Sequence, residues 1–357
     1  MRPHAVVAAI AAVAAPAAAE TWRGQVEAGV EYDSNVGRVE DEVGADAAPM
    51  MRVRTAVDVR GGKARKARWV ILAGGGARAA VAGPIDGEDA MTGSLDATVL
   101  RRTSDTLALS ARATHYEVFP VAGDDQAHAF ASSGADLAAA LSDERGRTAT
   151  VSVGARRLVY KPDPDFDWTG VTLAVAVSQA LWRGADDASV DLAAGYRVEQ
   201  RSYRGLGFVD GFVPGDRPRA DLVQVASARA AYAGKRAASL SYEVTIDDST
   251  SFGSSYLRQR LTAAVTTPLP SRVFATATIT GQLDHYPEPQ LVARDVMHQT
   301  FTALDDDARS GASVRLARGF GGGWQAEVRW AYHLSNPGDE VAAYHRQLIY
   351  AGVTWER

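Results

Sequence analysis

The chain has 357 residues, no cysteine, and a formal net charge of −5 from 38 basic and 43 acidic residues. The absence of cysteine excludes a disulfide framework and a thiolate metal site, and so mild a charge gives no footing for nucleic-acid binding. Charged residues interrupt every apolar stretch before it reaches the 18 or more residues of a membrane helix.

Residues 1–19 read as a secretory leader. Arg2 and His4 form a basic start, Ala5 to Ala15 is apolar, and Pro16 breaks the run. Ala17-Ala18-Ala19 before Glu20 then satisfies the small-residue cleavage rule. A short membrane helix is the rival reading, but the run is too short and too rich in alanine. Cleavage removes Arg2 and leaves 37 basic against 43 acidic residues, a net charge of −6. Residues 20–357 show no linker or compositional break and are expected to form one domain.

The first element after the leader sets the pattern. Trp22, Gly24, Val26, Ala28, Val30 and Tyr32 alternate with Arg23, Gln25, Glu27, Gly29, Glu31 and Asp33. Successive side chains of a strand point to opposite faces, so one face is apolar and the other ionic. Met51 to Val59 repeats this against Arg52, Arg54, Asp58 and Arg60. Val171 to Val177, Val190 to Val198, Ala238 to Ile246, Val273 to Leu283 and Ile349 to Trp355 follow the same rule. About 16 such strands are expected, with 14–18 as the range, an even number as a closed single-chain transmembrane β-barrel requires. Residues 127–141, 219–233 and 298–318 show the weakest alternation. Runs of about 11–14 residues are long enough for the roughly 9–11 that a tilted strand needs to span a bilayer. A soluble β-propeller would have shorter strands and a recurrent blade signature, which is absent.

The connections alternate short and long, and the first is long. Short turns are expected near 61–66, 101–105, 142–147, 183–187, 234–236, 268–272 and 319–323. Longer loops are expected near 34–49, 82–90, 120–126, 161–167, 204–218, 247–254, 285–306 and 335–343. The short turns are basic (Lys63, Arg65, Lys66, Arg101, Arg145, Lys235) and the long loops acidic (Glu40, Asp41, Asp86, Asp163, Asp305, Asp339). Short periplasmic turns and long external loops are the barrel arrangement, and aromatic residues near both strand ends predict two membrane-boundary girdles. The expected location is the bacterial outer membrane after leader cleavage.

Two phrases carry a family resemblance. One is Gly29-Val30-Glu31-Tyr32-Asp33-Ser34-Asn35-Val36. The other is Tyr332-His333-Leu334-Ser335-Asn336 with Tyr344-His345-Arg346 and Ala351-Gly352-Val353-Thr354-Trp355. Together they resemble the barrel portion of surface lipoprotein assembly modifiers and of exopolysaccharide-export barrels. Tyr32, Asp33, Ser34, Asn35, Ser335, Asn336 and Trp355 stand at the motif positions. The resemblance implies an export or surface-display barrel. It covers the first and last hairpins only, and the helical repeats common in relatives have no counterpart after the leader. The ending Glu356-Arg357 also departs from a terminal aromatic.

Alternation sends a set of ions into the lumen: Glu27, Arg52, Arg54, Arg197, Glu199, Arg201, Arg258, Arg260, Glu327, Arg329 and Arg346, with Arg23, Arg156 and Arg315. Such a lining either selects solutes by its field, as charged rings do, or fills the barrel as a plug of ion pairs. Arginines outnumber acids in the set, which points to anionic or sugar-like cargo. A pore or export channel for polar solutes is therefore the expected function, against a closed structural surface barrel. A lipid hydrolase built on His333 and Ser335 is the enzymatic alternative, since a serine activated by an imidazole is a nucleophile. Both residues are expected to face inward, away from lipid, so no catalytic residue is assigned. Acidic loops could bridge divalent cations, but ordinary solvated charge accounts for them, and no metal site or cofactor is expected. Gly74-Gly75-Gly76 precedes no helix and fails as a phosphate loop. The partners implied are outer-membrane lipids and the barrel assembly machinery, with periplasmic export partners left open, as is the oligomeric state.

Overall fold

The computed structural model describes residues 19–34, 47–63, 67–82, 89–120, 129–184, 188–210, 213–288, 310–335 and 344–357. The leader up to residue 18, most of the acidic loops, Asn35 and Asn336 lie outside this set.

Sixteen strands run in chain order: β1 (Ala19–Asp33), β2 (Ala48–Lys63), β3 (Ala67–Ala80), β4 (Ala90–Arg102), β5 (Leu107–Pro120), β6 (Phe130–Ser142), β7 (Arg147–Tyr160), β8 (Trp168–Arg183), β9 (Ser189–Asp210), β10 (Val213–Ala233), β11 (Ala237–Ser249), β12 (Tyr256–Leu269), β13 (Val273–His285), β14 (Ser310–Gly321), β15 (Trp324–Ser335) and β16 (Tyr344–Glu356). Each pairs with its neighbour in sequence, and β1 closes on β16 to complete the barrel. The closing register runs antiparallel from Gln25 opposite Glu356 to Asp33 opposite Leu348. Full closure leaves no sheet edge with unpaired backbone groups. The strand count, antiparallel order and closure are those expected from the alternation.

The wall is inverted relative to a soluble sheet. Val171 is 62% exposed on β8, while Thr172, the next residue, is 6% exposed. Leu173, Val175 and Val177 share the outward face of Val171, and Val26, Val30, Val53, Leu240, Ile279 and Val353 are likewise exposed. Burying a side chain of this size is worth roughly 1.5–3 kcal/mol. A continuous belt of them is stable only against an apolar solvent, which is lipid.

One stretch departs from expectation. Residues 204–218 were expected as a long loop, being rich in glycine and proline. They instead extend β9 to Asp210 and start β10 at Val213, so this hairpin projects past its neighbours. The register slips at Pro214 and Pro218, where proline lacks the ladder N–H. Gly215 permits a close approach, since a Cβ there would lie 2.9 Å from the Gly207 carbonyl oxygen. The hairpin rests on the β11–β12 loop, where Phe252 N donates to Phe208 O at 2.8 Å and Phe208 N to Ser251 Oγ at 3.0 Å.

Several mouth aromatics also turn inward rather than forming a girdle. Following the register from Arg54 through Gly76, Thr92 and Val118 leads to Phe130 and Tyr160, all on the inner face. Ala90, Val118, Phe130, Leu158 and Tyr160 form a small core there, flanked by Tyr116, Phe166 and Trp168. Tyr160 and Phe166 meet edge to face, with centroids 5.9 Å apart. Rings inside a wide barrel remove more area from water by packing on each other than by standing alone.

Candidate functional site

Every lumen residue expected from alternation lies on the inner face. The ladder places Glu27 opposite Arg54, Glu199 opposite Val223, Arg258 opposite Asp284, and Arg346 opposite His333. Directly opposed residues share a face of the sheet, so each pair extends the inner surface by one strand.

The ions are organised as separate clusters. The first sits at the closing seam. Arg346 Nε donates to Asp33 Oδ1 at 2.9 Å, Arg78 Nε to Glu31 Oε1 at 3.0 Å, and Arg78 also reaches Asp33. Arg52 lies 3.4 Å from Glu31 and 3.5 Å from Glu27. All five of Glu31, Asp33, Arg52, Arg78 and Arg346 are buried. Below them, Arg52 and Arg329 both lie over the Tyr350 ring, 5.0 and 5.8 Å from its centroid. The second cluster is Glu327, shared by Arg315 (2.7 Å from its Nε) and Arg329 (3.0 Å). The third spans β9 and β10, where Arg201 Nε donates to Glu199 at 2.6 Å and Arg219 Nε to Asp221 at 2.9 Å. These two guanidiniums also cover Trp168 and Tyr203, at 4.6 and 4.3 Å. On β12 and β13, Arg258 holds Asp284 through two hydrogen bonds of 2.9 and 3.0 Å. Arg156 holds Asp136 at 2.8 Å, and Arg112 pairs with Asp96.

This pairing revises the weight given to arginine. The acids that offset it (Glu31, Asp33, Asp96, Asp136, Asp221, Asp284) were absent from the candidate set. Glu31 and Asp33 were legible on the ionic face of β1. Asp284 lies near the end of β13, where the pattern fades into loop, and Asp221 lies in the stretch 219–233, where the alternation is weakest. Arg78 was missed because Gly74-Gly75-Gly76-Ala77 erases the alternation around it. Arg197 and Arg260 stand outside these clusters among the described residues. Arg197 is exposed to the lumen and makes no ion pair, and Arg260 lines an inner cavity.

The motif residues meet at the seam. Tyr32 points outward at 47% exposure, and Asp33 points inward to Arg346. Ser34 N donates to Gln347 O at 3.0 Å, and Gln347 N donates to Ser34 Oγ at 2.8 Å. Trp355 is paired with Val26 and Trp324 on the outer face. His333 occupies an inner position of β15 and lines the same cavity as Arg260, while Ser335 ends the strand in register with Tyr344. Among the described residues, no group of three or more His, Asp or Glu could hold a metal ion.

Two hollows differ in kind. A furrow of about 800 Å3 lies in the outer wall against Val177, Leu192, Ala194, Leu240 and Leu261, on the lipid side. The inner cavity, about 320 Å3, is lined by arginines and by hydroxyls of β12–β14. Only the second lies on the inner face of the barrel.

No protein-family model matches the chain, and no curated protein matches it. Among solved structures, the Pseudomonas putida OprB structure at high pH is similar over 94% of this chain and 94% of that one, with 10% sequence identity and a TM-score of 0.52. A triple mutant of the Rhodopseudomonas blastica porin aligns over 94% of this chain and 99% of that one, with 11% identity and a TM-score of 0.40. At this identity the OprB likeness is one of fold.

Proposed function

We propose that this chain is a bacterial outer-membrane pore for small polar solutes, reached after removal of the leader. One observation carries the reading: a closed wall whose outer face is an apolar belt and whose inner face is a set of discrete ionic clusters. Clusters bound to the wall stiffen it and leave a polar surface along the axis, whereas a plug would need side chains interlocked across it. Arg197, exposed and without an ion pair among the described residues, is a wall charge of this kind. The similarity to OprB is consistent with this fold-level reading. Export of polysaccharide or of surface-directed cargo, the reading suggested by the motif resemblance, uses the same lumen and differs in needing a periplasmic partner.

The test is conductance of the refolded barrel in planar bilayers, with fractionation of cells in parallel. A pore gives stepwise conductance from the purified chain and recovery in the outer membrane. Recovery as a soluble periplasmic species removes the membrane reading, and a folded barrel silent at every voltage favours the closed structural barrel. The hydrolase alternative is disfavoured by the inward placement of His333. Purified protein with phospholipid should release no fatty acid, and release abolished by Ser335→Ala would restore the enzyme.

A further inference from the structure

The inner cavity is bordered by β12, β13, β14 and β15 and holds three arginines, Arg260, Arg315 and Arg329. Arg315 and Arg329 both hydrogen-bond the Glu327 carboxylate. Arg260 differs from both. Its Nε is buried without a hydrogen-bond partner, and it makes no ion pair among the described residues. Its ladder neighbours do not satisfy it among the described residues: Glu243 opposes it on β11 without an ion pair, and Gln282 opposes it on β13 with its own Oε1 buried and unpartnered. Glu31 reaches the cavity edge, but Arg52 and Arg78 engage its carboxylate at 3.4 and 3.0 Å.

We propose that this cavity is an oxyanion-binding subsite that takes the carboxylate or phosphate group of a polar solute. Buried donors in native structures are almost always paired, and Arg260 lines the cavity without an acceptor among the described residues, which marks a position for one. A guanidinium presents parallel N–H groups that match two oxygens of a carboxylate or phosphate. Hydroxyls stand beside it: Thr262 and Thr280 lie 3.2 Å apart across β12 and β13, and Ser313 joins them on β14. They can serve the remaining polar atoms of the solute by donating or accepting. The proposal rests on the pore reading for its place in transport, but binding is measured without flux.

The experiment is calorimetric titration of the full-length folded barrel in detergent with inorganic phosphate and, separately, with glucuronate. At least one of them should saturate a single site. Arg260→Gln should weaken that binding by about tenfold or more, the loss expected for a charge-assisted hydrogen bond. Arg315→Gln should weaken it as well, which keeps the test open if the first variant fails to fold. Arg318→Gln, exposed on the outer face of β14, should leave it unchanged. Binding of phosphate alone assigns a free inorganic oxyanion, and binding of glucuronate alone assigns an acidic sugar. No saturable binding of either, or binding indifferent to Arg260 and Arg315, overturns the proposal. A barrel that binds but does not conduct keeps the site and loses the pore; one that conducts but does not bind does the reverse.

Discussion

Asp33 and Arg346 stand 313 residues apart and form a buried ion pair that joins the first strand to the last. Both are nearly or fully inaccessible, and Arg78 from β3 shares the same carboxylate. The two phrases that carry the family resemblance are therefore one structural device, a clasp across the closing seam. Removing one member of a buried pair strands the other charge, at a cost of about 3–5 kcal/mol.

Asp33→Asn should accordingly lower the temperature at which the barrel loses its compact gel mobility. Asp58→Asn, whose partner Arg60 is 56% exposed, should barely move it. Equal shifts in the two variants would mean that the clasp adds nothing to closure.

Much of this architecture was legible because alternation has a period of two and the membrane demands it on every strand. Closure, a strand count near sixteen and the inward direction of the lumen candidates followed from that period together with the alternation of short and long connections. What escaped were features set by partners distant in sequence. Nothing near Arg346 indicates that its carboxylate lies on β1. Arg78 sits behind three glycines that carry no face information. The β9–β10 extension reads as loop because glycine and proline are depleted in strands, yet Gly215 is there to let backbone approach backbone. Tyr160 and Trp168 stand at the expected level but face inward, while Tyr32 faces outward, since a ring near a strand end fits either a lipid boundary or an internal core.

The outer face can be tested at one position pair. Val175 is outward and 46% exposed, opposite Val151 and Tyr196, while Ala176 is inward, opposite Thr150 and Gly195. Val175→Arg should cost roughly 2–4 kcal/mol near the bilayer midplane, and Ala176→Arg far less. Chemical unfolding in lipid vesicles measures both. A reversed order would mean that β8 is assigned to the wrong face.

The seam makes a second demand, on glycine. Gly29 opposes Gly352, and a Cβ at Gly29 would lie 2.5 Å from both the Tyr350 ring and the Ala351 carbonyl oxygen. Tyr350 thus lies across the space that two side chains would fill, a way of covering glycine within a sheet. Gly29→Ala should destabilise by about 1–3 kcal/mol through overpacking. Gly93→Ala is the control, because a Cβ there meets nothing within 4 Å. A Gly29→Ala barrel as stable as the parent would show that Tyr350 moves aside freely.

Ion selectivity and stability measured together separate free wall charges from those that also hold the wall. Arg197 is exposed and makes no ion pair among the described residues, whereas Arg258 is bound to Asp284 at 2.9 Å. Both face the lumen, and arginine stays charged at any physiological pH. Replacing either by glutamine removes one positive charge, and a narrow path with low-dielectric walls focuses the change. Both variants should therefore move the reversal potential toward cation preference under a salt gradient. They should differ in stability: Arg197→Gln leaves no stranded partner, while Arg258→Gln leaves Asp284 without its guanidinium. The selectivity shift should shrink as salt rises, because the screening length falls from about 10 Å at 0.1 M to about 3 Å at 1 M. Planar-bilayer recordings at low and high salt, paired with thermal unfolding of each variant, make the comparison. A reversal potential that ignores Arg197 at low salt would place the ion path away from β9 and count against the wall-charge account of the lumen.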